Sequence, residues 1–174
     1  MRGTAAAIAL LAAAVHPAVR AQAPAADGWV RDSSRADDGT RSYALRLRGA
    51  SHDSVAGWPA ADLLVSCTST RTAPFVSIVA PRQVYAVWFR RDRHARVRAQ
   101  LDQAPETSTM WVVTGDFRTL SPPPGPMPSP EQWPTGSTLR VALPVSADSS
   151  ASTVFRLPPL ADQLPWLTAA CSGT

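Results

Sequence analysis

Along most of this chain apolar and polar residues alternate with a period of two, the spacing of a strand with one face in a core and the other in water. Residues 41–48 place Tyr43, Leu45 and Leu47 on one face, with Ser42, Arg46 and Arg48 among the others. Residues 62–69 set Leu63, Val65 and Cys67 on one side, so Cys67 is expected to point inward. Residues 94–101 put Ala95, Val97, Ala99 and Leu101 inside and His94, Arg96, Arg98 and Gln100 outside. Short apolar runs at 75–79 and 84–89, divided by Pro81, suit a hairpin or sandwich core. With 110–113, 139–145 and 153–157, about eight strands are predicted, with turn signals roughly every ten residues. The pattern predicts a mostly β fold: an antiparallel, β-sandwich-like domain.

Two segments break the alternation. Residues 121–136 hold seven prolines between Pro122 and Pro134, too many for a strand ladder or a long helix. This stretch reads as an ordered or semi-ordered surface loop inside one domain, since too little chain follows it to build a second. A Pro-rich ligand for a partner domain is the other reading. At the C-terminal end, Leu160, Leu164, Leu167 and Cys171 recur at helical spacing and predict a short final helix. With Asp162 as the N-cap, Pro165 sits in the first turn, where backbone N–H groups lack helical partners anyway. Gly173 is a fitting stop.

The first 21 residues read differently. Arg2 supplies a positive charge, residues 5–15 are apolar and uncharged, and a small-residue stretch ends in Ala21-Gln22-Ala23. This is the order of a secretory signal peptide, 1–21, with cleavage after Ala21. An N-terminal helix that stays attached is the alternative. The apolar run is too short for a bilayer, which takes about 20 residues, so no transmembrane span is expected in the mature chain. What remains, 22–174, is about 150 residues, a natural size for a single β-rich domain with a real core.

Charge narrows the partners. Every basic residue is arginine, and without Arg2 and Arg20, 15 arginines face 13 acidic residues, a net charge of +2. That balance does not support a general nucleic-acid-binding surface. Export places the two cysteines, Cys67 and Cys171, in an oxidising compartment, where a lone pair is most simply a disulfide. It would close a loop of about 100 residues, worth roughly 4.7 kcal/mol in the chain-entropy view.

Candidate chemistry is sparse. His52 and His94 are the histidines left after cleavage, and neither has ligands at metal spacing, so no metal and no cofactor are expected. There is no G-x-S-x-G elbow, and a chain without lysine has no Ser-x-x-Lys. Asp116, in Thr114-Gly115-Asp116, reads as either a catalytic carboxylate or a turn aspartate bonding its own backbone. With two glutamates in the chain, paired acids for glycoside hydrolysis are not expected. No catalytic residue is assigned. The six tryptophans, scattered through strands and loops, read mostly as core or edge packing.

The strongest local signal is basic. Arg90, Arg91, Arg93, Arg96 and Arg98 fall within nine residues, with Arg96 and Arg98 on one strand face and the other three in the preceding turn. Guanidinium groups grouped this way suit the carboxylates or phosphates of an envelope or secretion-apparatus protein, a cell-wall polymer or a lipid. A solvated strand edge whose charge discourages aggregation is the competing reading.

Four sequence stretches also carry a family resemblance. Gly28-Trp29 opens the mature part, Leu63-Leu64-Val65-Ser66-Cys67 forms a strand ending on cysteine, and Val97-Arg98-Ala99-Gln100-Leu101-Asp102 precedes Trp111. Phe155-Arg156-Leu157 then leads through Leu160 and Leu164 to Ala169-Ala170-Cys171. Over about residues 28–172 the chain resembles the small exported bacterial family that includes the type VI secretion-associated VasI/TagO proteins. Gln100 and Pro159 stand where that family usually has Arg and Gly. The resemblance implies a paired Cys67 and Cys171, no catalytic residues, and a periplasmic or secreted binding or accessory role. A small envelope hydrolase, or an inhibitor of an envelope enzyme, is the alternative.

Overall fold

A computed structural model describes residues 28–173 apart from Asp53, Ser54, Ala56, Arg90 and Pro126. The expected signal peptide, 1–21, therefore lies outside the described residues, as does Arg90 of the arginine cluster. The strands are β1 (Val30–Arg35), β2 (Arg41–Arg48), β3 (Ala50–His52), β4 (Asp62–Thr68), β5 (Arg71–Val79), β6 (Val87–Phe89), β7 (Asp92–Leu101), β8 (Thr107–Val113), β9 (Thr119–Ser121), β10 (Thr138–Pro144) and β11 (Ser150–Arg156). One helix, α1 (Leu164–Ser172), follows. All strand pairings are antiparallel, in the order β1-β2-β4-β5-β9-β8-β7-β10-β11-β3, with β6 beside β7. The expected fold class holds, and its layers are parts of one continuous curled sheet.

The alternation seen in the sequence becomes rows of apolar side chains across the sheet. Leu47, Leu63, Ile78, Leu120 and Val113 follow one another through successive strand pairs, and all are buried. Such cross-strand contacts are the unit of sheet stability. Opposite the fully buried Trp111 stands Ala95, whose small side chain leaves room for the indole.

Gly49 is the corner. It alone separates β2 from β3, and these two strands lie at opposite regions of the pairing path. The chain through Gly49 is therefore one bent strand that links the second strand of the pairing path to its last. Its N–H donates to the carbonyl of Ala61 (3.0 Å), while the Ala61 N–H donates to the buried Thr153 hydroxyl (3.2 Å). There is no room for a side chain here. A Cβ on Gly49 would collide with Thr153 Cγ2 and come within 2.8 Å of Phe155 Cε1 and 3.1 Å of the Ala61 carbonyl oxygen.

Helix α1 packs against β2, β4 and β5, with Leu167 and Cys171 buried. Cys171 is joined to Cys67 of β4, their Cα atoms 6.1 Å apart, within the range a disulfide spans. The N-cap is Gln163, one residue later than expected, and it makes no side-chain cap bond. Pro165 still occupies the first turn, and Gly173 ends the helix in the left-handed conformation (φ 72°) that glycine adopts without strain. Leu160 begins the turn before the helix, accepting from the N–H groups of Gln163 and Leu164.

The Pro-rich stretch is pinned from within. A 3-10 turn, Pro130–Gln132, leads to Trp133, which is buried and donates its indole N–H to Pro128 O (3.0 Å). One anchoring aromatic thus orders a loop with no ladder of its own.

Three strands escape the alternation rule. β1 reads VRDSSR, almost wholly exposed, and is held by its pairing to β2 and by Arg31, which stacks on Trp166 of α1 (4.8 Å) and bonds Gln163. β3 and β9 have three residues each, too short for a period to show. The run 84–89 also departs from expectation. It forms no hairpin with 75–79; β5 pairs with β4 and β9, while Val87–Phe89 pairs with β7 and is exposed.

Candidate binding face

The arginine cluster divides into two groups. Arg96 and Arg98 lie on the outer face of β7, as their alternation with Ala95, Val97 and Ala99 requires. Arg98 donates to Ser150 Oγ (3.0 Å) and pairs with Glu106 (3.6 Å). Arg93, expected in the turn, is instead the second residue of β7 and has the opposite parity. Its guanidinium lies over the Phe117 ring (3.8 Å) and the Trp88 ring (4.6 Å), so it is held by two aromatic faces. Arg91 sits exposed in the β6–β7 turn, and neither it nor Arg96 has an ion-pair partner among the described residues.

Around these arginines the structure gathers exposed apolar surface that the sequence did not announce. Trp88 is 69% exposed, Phe89 56%, Tyr85 46%, Val87 42% and Val112 40%. Register explains the grouping. Val87 pairs with His94 and His94 with Val112, so these three form a row across β6, β7 and β8, with Phe89 edge-on to His94 at 5.6 Å. Trp88 pairs with Arg93 on the other parity. The aromatic residue types suggested a core run; strand pairing at the end of β7 leaves them in solvent.

β6 and β10 share one edge of β7. The C-terminal part of β7, from Arg98 to Leu101, is covered by β10, whereas its first residues have β6 as their neighbour. The Tyr85 N–H donates to the carbonyl of Pro144, the last residue of β10 (2.9 Å). The β6–β7 hairpin thus begins where β10 stops and extends past it.

The candidate catalytic groups do not converge. His52 lies on β3 against β11, and His94 on β7, where its Nδ1 has no hydrogen-bond partner among the described residues. Asp116 is the turn aspartate of the β8–β9 connection. Its carboxylate accepts from Thr114 Oγ1 (2.6 Å), the N–H groups of Arg118 (2.9 Å) and Thr119 (3.1 Å), and Thr119 Oγ1 (3.1 Å). These bonds brace a turn in which Phe117 takes a positive φ of 57°. Partial burial pushes the Asp116 carboxyl up, but the four hydrogen bonds outweigh it and hold its pKa at about 2, against an ordinary 3.8. Asp102 ends β7 in a similar way, with a positive φ of 50° and a bond from the Thr138 N–H (2.7 Å) that keeps its carboxyl below the usual range. Among the described residues no group of three or more metal-ligating side chains occurs.

Asp116 yields a pH test. A carboxyl depressed on folding contributes stability that is whole above its unfolded pKa and is lost as pH falls through the folded one. Asp116→Ala should therefore melt below the parent at about pH 5, and the gap should narrow as pH drops from about 4 towards about 2. A gap that stays constant over that range would mean that the charge does not brace the turn.

Two hollows lie away from the arginine hairpin. One, of about 230 Å³, is walled by Leu101, Pro105, Met127, Trp133 and Leu139. The other, of about 590 Å³, sits at the Gly49 corner beside Arg48 and Arg156. No family model, no curated protein and no solved structure matches the chain.

Proposed function

We propose that this chain is an exported envelope protein that works by binding, an accessory module similar to the type VI secretion-associated family it resembles. The observation that carries this reading is the β6–β7 hairpin: exposed Trp88 with Arg93 on one face, exposed Val87 and Phe89 on the face that bears Arg96, and Arg91 in the turn. Exposed large apolar side chains are ordinary when scattered, but a cluster of them marks an interaction surface. Aromatics and arginine are also the residue types that dominate binding hot spots. The Cys67–Cys171 disulfide is compatible with an extracytoplasmic location. No helix among the described residues is long and apolar enough to cross a membrane.

The test is fractionation joined to mass measurement. The mature chain should appear in the envelope fraction with its N-terminus near Gln22. Phe89→Ser with Arg96→Gln should release it from its site while leaving the melting temperature unchanged. Intact Met1 in the cytoplasm would sink the export reading, and undiminished retention of the variant would sink the assignment of the face.

A further inference from the structure

We infer that the β6–β7 hairpin docks on the surface of an anionic phospholipid bilayer, an assignment that rests on the binding reading above and names its partner. Three observations point there. First, the hairpin strand β6 begins where β10 stops, and its exposed side chains point to both faces, Val87 and Phe89 to one and Trp88 to the other. A fluid layer can meet both faces at once, whereas a rigid partner docks against one.

Second, the side chains are those that settle at a headgroup boundary. Tyr and Trp carry an apolar body and a polar tip and are enriched at membrane–water interfaces. Trp88, Phe89 and Tyr85 are among the exposed side chains here, and shallow insertion of two or three aromatics is how such groups engage a bilayer.

Third, the charge has the right sign and position. Arg91, Arg93 and Arg96 lie in or next to the hairpin with Asp92 and the turn carboxylate Asp116 as the nearby acids, Asp116 being held by hydrogen bonds within its own turn, while Arg98 is already paired with Glu106. Arg93 is held between Trp88 and Phe117, which fixes the indole while keeping the cation beside it. An anchored aromatic flanked by guanidinium groups can enter the headgroup layer while the cations stay at phosphate level.

The experiment is vesicle sedimentation with the full mature chain. Vesicles containing phosphatidylglycerol should bind it at least about tenfold better than pure phosphatidylcholine, and added salt should erode the difference. Trp88→Ser with Phe89→Ser should weaken binding by about tenfold or more, because the apolar insertion is lost. Arg91→Gln with Arg96→Gln should remove the preference for anionic lipid. Unchanged melting temperatures would show that both variants are folded. No binding to either vesicle, or binding indifferent to both variants, overturns the assignment. A photo-crosslinking residue at position 88 in intact cells separates the two levels. Crosslinks to a protein without vesicle binding discard the membrane and keep the binding face; neither signal discards both.

Discussion

Cys171→Ser will melt roughly 5–15 °C below the parent, the equivalent of about 2–5 kcal/mol for a domain of this size. The bond ties the final helix to β4, 104 residues earlier in the chain. Nine residues with no side-chain N-cap bond do not hold a helix alone in water, so α1 depends on its packing and on this tether. Loss should open the C-terminal segment first, seen as hydrogen exchange rising in 164–172 before the β4–β5 ladder responds. Trp166 should detach from Arg31 and Tyr43 in the same step, leaving β1 held by its backbone pairing to β2 and by the Asp32–Arg46 ion pair. Cys67→Ala with Cys171→Ala controls for the buried hydroxyl of the serine variant. A thiol assay on unfolded, unreduced parent should find no free thiol among the two cysteines. Two free thiols, or a variant that melts like the parent, would remove the tether from the account.

Gly49→Ala should cost about 2–3 kcal/mol although it adds one methyl group, because the new Cβ meets Thr153, Phe155 and the Ala61 carbonyl at once. The backbone there has no positive φ, so the requirement for glycine is space. That gives the prediction a specific rescue. Thr153→Ser deletes the colliding Cγ2 and keeps the hydroxyl that the Ala61 N–H uses, so in the Gly49→Ala background it should recover part of the loss. Phe155 Cε1 at 2.8 Å limits the recovery. Denaturant melts of the four proteins of the cycle measure the coupling. Additive effects, or a Gly49→Ala chain as stable as the parent, would mean that the corner yields without strain.

The sequence was most legible where strands are half-buried. β2 was read with the boundaries it has, and β4 and β7 to within two residues, because each sets one face in the core and one in water. The helix stripe and the cysteine pair were legible for the same reason: burial leaves a period. β1 leaves none, because it lies outside β2 and its side chains are almost all exposed. β3 and β9 are shorter than the pattern needs, and closure at Gly49 is a contact between distant segments that no local window contains. The arginine cluster was visible as composition, but its division was not. Arg93 turned to the aromatics because β7 starts at Asp92, two residues before the expected start, which puts Arg93 inside the alternation. The aromatics of the candidate face were misplaced for a complementary reason. Trp88 and Phe89 have core chemistry, but they lie on β6, a three-residue strand at the edge of β7 whose side chains are all exposed.

The bent strand at Gly49 also sets an order of assembly. β3 can complete its pairing only with β11, and Cys67 only with Cys171, so both links that finish the molecule wait for the last part of the chain to arrive. A chain emerging from its N-terminal end can form the β2–β4–β5 meander early, but that meander keeps an unjoined edge and an unpaired thiol for about a hundred residues of further emergence. Contacts so distant in sequence slow folding, and waiting edges are where wrong partners attach. Seen over time, the corner and the disulfide are the two latches that shut last.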